Sequence, residues 1–224
     1  MKVIEKKPTV TAHGVTQAAV FGIKESGIGH IFHILRNQLY SDAVTACIRE
    51  YATNAADAHV EAGIPERPIE ITLPSRFNLQ FKVRDFGPSL SPKEIADVFA
   101  FYGESTKRNT NNQTGMLGIG SKSAFAYGDN FVINSCINGV STTYNAYIDD
   151  SQIGCISKLG EAKTDEENGL EIVIPVKSQD VDDFKTKADR ILENFKVKPL
   201  VNGRPLKVAE KNIIYSGDSW SWDS

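Results

Sequence analysis

The stretch "TGMLGIGSKSAFAYGD" places Gly115, Gly118 and Gly120 directly ahead of a short helical segment. Glycines in that position leave backbone N–H groups bare. Those groups can close on phosphate oxygens while the helix N-terminus adds its partial positive charge. Two well-known phosphate loops come near this pattern and neither fits. In a Walker A loop Gly115 and Gly120 would match, but Ser121 takes the lysine position and Lys122 comes one residue late. A dinucleotide fingerprint needs glycine where Ser123 stands. Both loops also follow a strand, and residues 105–114 have no strand character. Alone, the cluster reads equally well as a hinge.

Two other groups stand out by type and spacing. Glu50, Asn54 and Asp57 fall at i, i+4 and i+7, which puts an acid, an amide and an acid on one helix face. On residue types alone a solvated face is the simpler reading. Such a face normally mixes Lys and Arg among its acids, however, and here Ala46 and Ala58 continue the line. In "VRDFGPSLS" an apolar, extended run ends on Asp85, and the chain then breaks at Gly87 and Pro88. Asp and Gly favour turns for local reasons, so Asp85 by itself fits a surface turn as well as a ligand site.

The elements that must carry these residues are legible. "SDAVTACIREYATNAADAHVEAG" is a helix with Ser41 and Asp42 as cap candidates and Gly63 as its stop; Val44, Cys47, Ile48, Tyr51, Ala55 and Ala58 recur at helical spacing. Strands "IEITLP" and "NLQFKVRD" follow. "SPKEIADVFAF" is a helix with Ser91 capping, Pro92 in the first turn and Glu94 closing a capping box. Residues 102–116 form a polar loop of a length that is usually functional or mobile, and a short helix starts near Ile119. "NFVINSCI" and "STTYNAYIDD" join across Asn138–Gly139, followed by "IGCISKLG" and "LEIVIPVK". "VDDFKTKADRILENF" is an amphipathic helix, "LVNGRPLKV" a short hairpin, and "GDSWSWDS" a polar tail in which Trp220 and Trp222 have nothing to bury them. Residues 1–22 read as an arm with strand character and residues 29–38 as a short helix. This order, without βαβ alternation, implies an α+β fold with helices layered on a mixed sheet.

Composition narrows the class. The 224 residues are 41% hydrophobic and 24% charged, ordinary for a globular protein. A net charge of −3 gives no bulk signal for nucleic acid. No apolar run approaches the roughly 18 residues of a membrane span, and "MKVIEKKPTV" lacks the apolar stretch of a signal peptide. Cys47, Cys136 and Cys155 are widely spaced without a CxxC, which favours reduced thiols in a cytoplasm. His30 and His33 have no third metal ligand nearby in sequence.

Taken in order, E-x3-N-x2-D-A (Glu50, Asn54, Asp57, Ala58), D-x-G (Asp85, Gly87) and G-x2-G-x-G (Gly115, Gly118, Gly120) resemble the GHKL ATPases, the group of gyrase, Hsp90, histidine kinases and MutL. The resemblance covers roughly residues 20 to 177. Within the group, "VRDFGP", "GIGSKSAFAY" and "NGLEIVIPV" look most like the N-terminal part of the rIIA lysis-control family of large tailed phages. The resemblance implies a two-layer α/β sandwich of the Bergerat type, with a mostly antiparallel sheet and helices on one face, that binds ATP or ADP with Mg²⁺ in the host cytoplasm. It implies that Asp85 accepts a hydrogen bond from the adenine amine, with Gly87 letting the base approach, and that Asp57 supports the adenine end through water. Asn54 would give its side-chain oxygen to Mg²⁺, and Glu50 would orient and deprotonate the attacking water. Residues 102–116 would form an ATP lid, with Ser105, Thr106 and Lys107 reaching the phosphates. Gly115, Leu117, Gly118, Ile119, Gly120, Ser121 and Lys122 would line the phosphate side.

Two positions depart from the group's pattern. D-x-G-x-G has Ser89 at its second glycine, which narrows the pocket, and the usual Gly-Thr near the last strand is Gly169–Leu170, which removes a polar contact. The expected organisation is an N-terminal arm (1–19), the ATP domain (20–196) and a C-terminal hairpin and tail (197–224) that begins a second domain. Expected partners are ATP, a second copy through the arm, and an unidentified host or phage protein.

Overall fold

Residue 34 and residues 40–100, 120–206, 213–217 and 220–223 are described by the computed structural model. The N-terminal arm and the lid loop of the sequence reading lie outside them, as does the helix expected at 29–38 apart from Ile34, which is helical. Asp42, in extended backbone, caps helix α1 (Ala43–Glu61): its carboxylate accepts from the Thr45 N–H at 3.0 Å and from Thr45 Oγ1 at 2.8 Å. Lys187, on helix α4 (Val181–Leu192), reaches the same carboxylate at 2.9 Å and Asp183 at 2.7 Å. Burial acts to raise the Asp42 pKa, but the Thr45 bonds and Lys187 outweigh it and hold it below the usual value. Loss of this cap through Asp42→Ala is expected to lower stability by about 1 kcal/mol in urea melts at neutral pH. A folded-state pKa that is depressed gives stability present above the unfolded pKa and lost as pH falls through the folded one. The two proteins should therefore converge as pH falls below about 4.

Between these helices lie β1 (Glu70–Thr72), β2 (Gln80–Arg84), helix α2 (Pro92–Ala100), a 3₁₀ turn at Gly120–Lys122, and the single-turn helix α3 (Ala124–Tyr127). Then come β3 (Asn130–Ile137), β4 (Val140–Ile148), β5 (Gly154–Lys163) and β6 (Gly169–Pro175); β7 (Leu200–Val201) and β8 (Arg204–Pro205) follow α4. On α2 the Ser91 N–H and hydroxyl both donate to Glu94, the reciprocal half of the expected capping box. One eight-stranded sheet runs β5–β4–β3–β6–β2–β1–β7–β8, antiparallel throughout except where β7 joins β1 in parallel. The β3–β4 turn uses Asn138 and Gly139 at φ 51° and 77°, the left-handed pair that a two-residue hairpin of this twist requires.

Strand β6 fills the gap between β3 and β2, with Glu171 opposite Arg84. That register sets Leu170 beside Asp85. Alternation on the sheet puts Ile71, Phe81, Val83, Phe131, Ile133, Tyr144, Ala146, Ile172 and Ile174 on one buried face. Helices α1 and α4 cover it through Ile48, Tyr51, Ala55, Phe184 and Ala188. Phe81 meets Phe184 at 5.3 Å between ring centres, and Phe131 meets Phe125 at 5.1 Å. The fold is thus α+β, built on a mostly antiparallel sheet. The C-terminal stretch corrects the sequence reading: β9 (Ile213–Gly217) and β10 (Trp220–Asp223) pair as a separate two-stranded sheet, with Trp222 opposite Tyr215. Ile213, Ile214, Tyr215, Trp220 and Trp222 are β-branched and aromatic residue types, which favour strands. No helix among the described residues is long and apolar enough to cross a membrane.

Candidate functional site

Asp85 follows the last residue of β2 and is 6% exposed. Its Oδ1 accepts from the Gly87 N–H at 2.9 Å and the Leu170 N–H at 3.2 Å, while its own N–H donates to the Leu170 carbonyl at 3.0 Å. Oδ2 makes no hydrogen bond among the described residues. Burial raises the carboxyl's pKa, opposed by the two backbone donors and by the Arg84 charge. That oxygen is not fully enclosed, so a donor from outside can reach it while Oδ1 stays anchored.

Two glycines make the anchoring possible. A Cβ at Gly87 would stand 2.8 Å from the Ala58 Cβ and 2.9 Å from its carbonyl oxygen, so the turn after Asp85 lies flat on α1. Gly169 enters β6 at φ 142°, and a side chain there would overlap the Asp85 carbonyl. Gly87→Ala is accordingly expected to destabilise by about 1–3 kcal/mol in thermal or urea melts, since the overlap is with helix backbone and a short side chain. Ser89 adopts φ 68°, a conformation glycine reaches without strain, so a second glycine here would give the same backbone. Its hydroxyl lies 3.0 Å from the Gly169 carbonyl and 2.8 Å from Ser135 Oγ, and Ser135 Oγ also reaches the Leu90 carbonyl at 2.8 Å. Leu170 meets Asp85 through its main chain.

On α1, Glu50 is half-buried and pressed against the 3₁₀ turn: a Cβ at Gly120 would lie 2.5 Å from Glu50 Oε2. Arg49 pairs with the same carboxylate at 3.0 Å. Asn54 is half-buried and Asp57 is 7% exposed, and neither is without a partner. The turn is held to α1 by residues the sequence reading passed over. Tyr51 donates to the Ser121 carbonyl at 2.8 Å and accepts from the Ala124 N–H at 3.3 Å, and Cys47 Sγ reaches the Ser123 carbonyl at 3.6 Å. Burial pushes the Tyr51 phenol well above its ordinary value and the Cys47 thiol up as well, so both stay neutral. Their only sequence signal was an apolar stripe, which spoke for core.

Lys122, expected on the phosphate side, is 4% exposed and turns its ammonium inward, donating to the Val98 carbonyl at 2.7 Å and to Ser121 Oγ at 3.3 Å. Burial pulls its pKa down to about 8. It ties the turn to the end of α2. Ser105, Thr106, Lys107, Gly115, Leu117, Gly118 and Ile119 lie outside the described residues. The structure thus brings Asp85, Gly87, Ala58, Gly169 and Leu170 together at one point along α1, and Glu50, Tyr51, Gly120 and Ser121 together at another, two turns earlier. No protein-family model and no curated protein matches the chain.

Proposed function

We propose that this chain is a Mg²⁺-dependent ATP-binding domain of the GHKL class, folded in the Bergerat manner and most akin to the phage rIIA-like proteins, which hydrolyses ATP slowly. The observation that carries this reading is the buried Asp85 carboxylate, with Oδ1 committed to two backbone donors and Oδ2 left to accept. An ionised carboxylate accepts only. It therefore suits the 6-amino group of adenine and rejects the 6-carbonyl of guanine. Asp57 supports the adenine end through water. The backbone of Gly118 to Ser121 offers donors to the phosphates, joined by Ser105, Thr106 and Lys107 from the lid.

Asn54 fits a Mg²⁺ site because that ion is held by one or two protein oxygens, with water and phosphate oxygens completing its shell. When bound, the ion neutralises phosphate charge. Glu50, set against the turn by Gly120, holds the attacking water and takes its proton. Nucleotide state then gates lid closure and association, with a second copy through the N-terminal arm or with an unidentified host or phage protein. The Arg49 guanidinium at 3.0 Å from Glu50 Oε1 favours a second reading, a nucleotide-gated interaction module without turnover, because that oxygen is already engaged by a cation rather than facing a water. Calorimetric titration with ATP, ADP and GTP, with and without Mg²⁺, tests the assignment. Binding of both adenine nucleotides but not GTP is expected, and equal binding of GTP would remove the role given to Asp85.

A further inference from the structure

His59 sits in the last turn of α1, 1% exposed, two residues past Asp57. Its Nδ1 lies 2.9 Å from the Arg67 carbonyl, and its Nε2 lies 2.8 Å from the Phe86 N–H. A carbonyl can only accept and a peptide N–H can only donate. The two partners therefore leave one assignment: neutral imidazole with the proton on Nδ1 and a bare Nε2.

What the ring holds is the turn that carries Asp85. The Phe86 N–H belongs to the Asp85–Phe86 peptide unit, so a bond to it fixes the ψ of Asp85 and with it the direction of the carboxylate. The neighbouring peptide donates the Gly87 N–H to Asp85 Oδ1. Arg67 closes the circuit. Its carbonyl accepts from His59 Nδ1–H, its guanidinium lies 3.6 Å over the Phe86 ring, and both its terminal nitrogens pair with Glu167 at 2.8 and 2.9 Å. Arg84 covers the same ring from 5.1 Å. Phe86 is thus held by its amide from α1 and by its ring from Arg67 and Arg84.

We infer that His59 is a positioning residue for adenine recognition: its bare Nε2 fixes the Asp85–Phe86 peptide, and through it the free carboxylate oxygen that reads the base. This rests on the adenine reading above. The two side-chain amides separate the bonds. In His59→Gln the amide oxygen reaches the Nε2 position and can still accept from Phe86, while the donor to Arg67 is lost. His59→Asn places its amide at the Nδ1 position, where it can still donate to Arg67, and leaves Phe86 without an acceptor.

The test combines three measurements on the full chain. Nitrogen-15 NMR of the nucleotide-free protein should show His59 protonated on Nδ1. The Phe86 amide should stay protected from exchange in the parent and in His59→Gln, and exchange at least tenfold faster in His59→Asn. Titration with ATP and Mg²⁺ should give His59→Gln an affinity within about threefold of the parent and His59→Asn a loss of about tenfold or more, with similar thermal midpoints for both. A proton on Nε2, or equal Phe86 protection in the two variants, overturns the inference whether or not ATP binds. Equal ATP affinity in the two variants overturns the positioning role. A parent that binds no ATP overturns that role together with the adenine reading, and leaves the tautomer and exchange results to decide the Phe86 anchor alone.

Discussion

Asp85→Asn is expected to weaken ATP binding by about 10- to 150-fold, equivalent to the roughly 1.5–3 kcal/mol of a hydrogen bond to a charged group. The geometry makes this harsher than a simple loss of charge. Oδ1 already accepts from the Gly87 and Leu170 N–H groups, so the asparagine must put its oxygen there and turn its NH₂ outward. A donor then faces the adenine amine, itself a donor. Rotating the amide would instead oppose two backbone N–H groups. Preference should move toward purines with a 6-carbonyl, and ITP or GTP titrated beside ATP would show it. The protein itself should not suffer. Burial raises the Asp85 pKa, so by linkage its contribution is full below the unfolded pKa and is lost as pH rises through the folded one. At neutral pH the buried charge costs stability, and the amide removes that cost. A variant that melts no lower than the parent yet binds ATP equally well would refute the adenine assignment.

Glu50→Gln should lower ATP hydrolysis by about 10²–10⁴-fold, the range for loss of a general base, while leaving ATP affinity within about threefold. The glutamine keeps the shape that rests on Gly120, so the turn need not move. Arg49 loses its ion pair, but it is largely exposed and such pairs contribute about 0–1 kcal/mol. Steady-state phosphate release together with calorimetry separates the two quantities. An equal fall in binding and turnover would make Glu50 structural, and absent turnover in the parent would favour the gated module.

Much of this frame was legible because local chemistry and tertiary demand coincide. Asp42 was a cap by type and is one in space; Asn138–Gly139 was a hairpin by type and has the two left-handed residues. Glu50, Asn54 and Asp57 share a helix face because helical period alone requires it. What stayed hidden depends on contacts between distant residues. No pattern in "LEIVIPVK" says that β6 slides between β3 and β2, and it is that register which brings the Leu170 N–H to Asp85. Residue type alone could not say that Ser89 takes φ 68° or that its hydroxyl meets the Gly169 carbonyl. Nor does the place of Lys122 after the glycines say that its ammonium meets the Val98 carbonyl of α2. His59 carried no signal at all, since a lone histidine on a helix is ordinary until its two partners are known.

The insertion of β6 also has a bearing on synthesis. Leu170 follows Asp85 by 85 residues. At about 5–20 residues per second a ribosome needs roughly 4–17 s to add that length. Until β6 is made, one edge of β2 lacks its partner strand and the Asp85 carboxylate has only its own turn for support. Nucleotide cannot lend its binding energy to those early species, because a ligand stabilises only the state that presents its site. On the adenine reading proposed above, ATP would act on this polypeptide as a late clamp, because the Leu170 N–H can reach Asp85 only once β6 has been made.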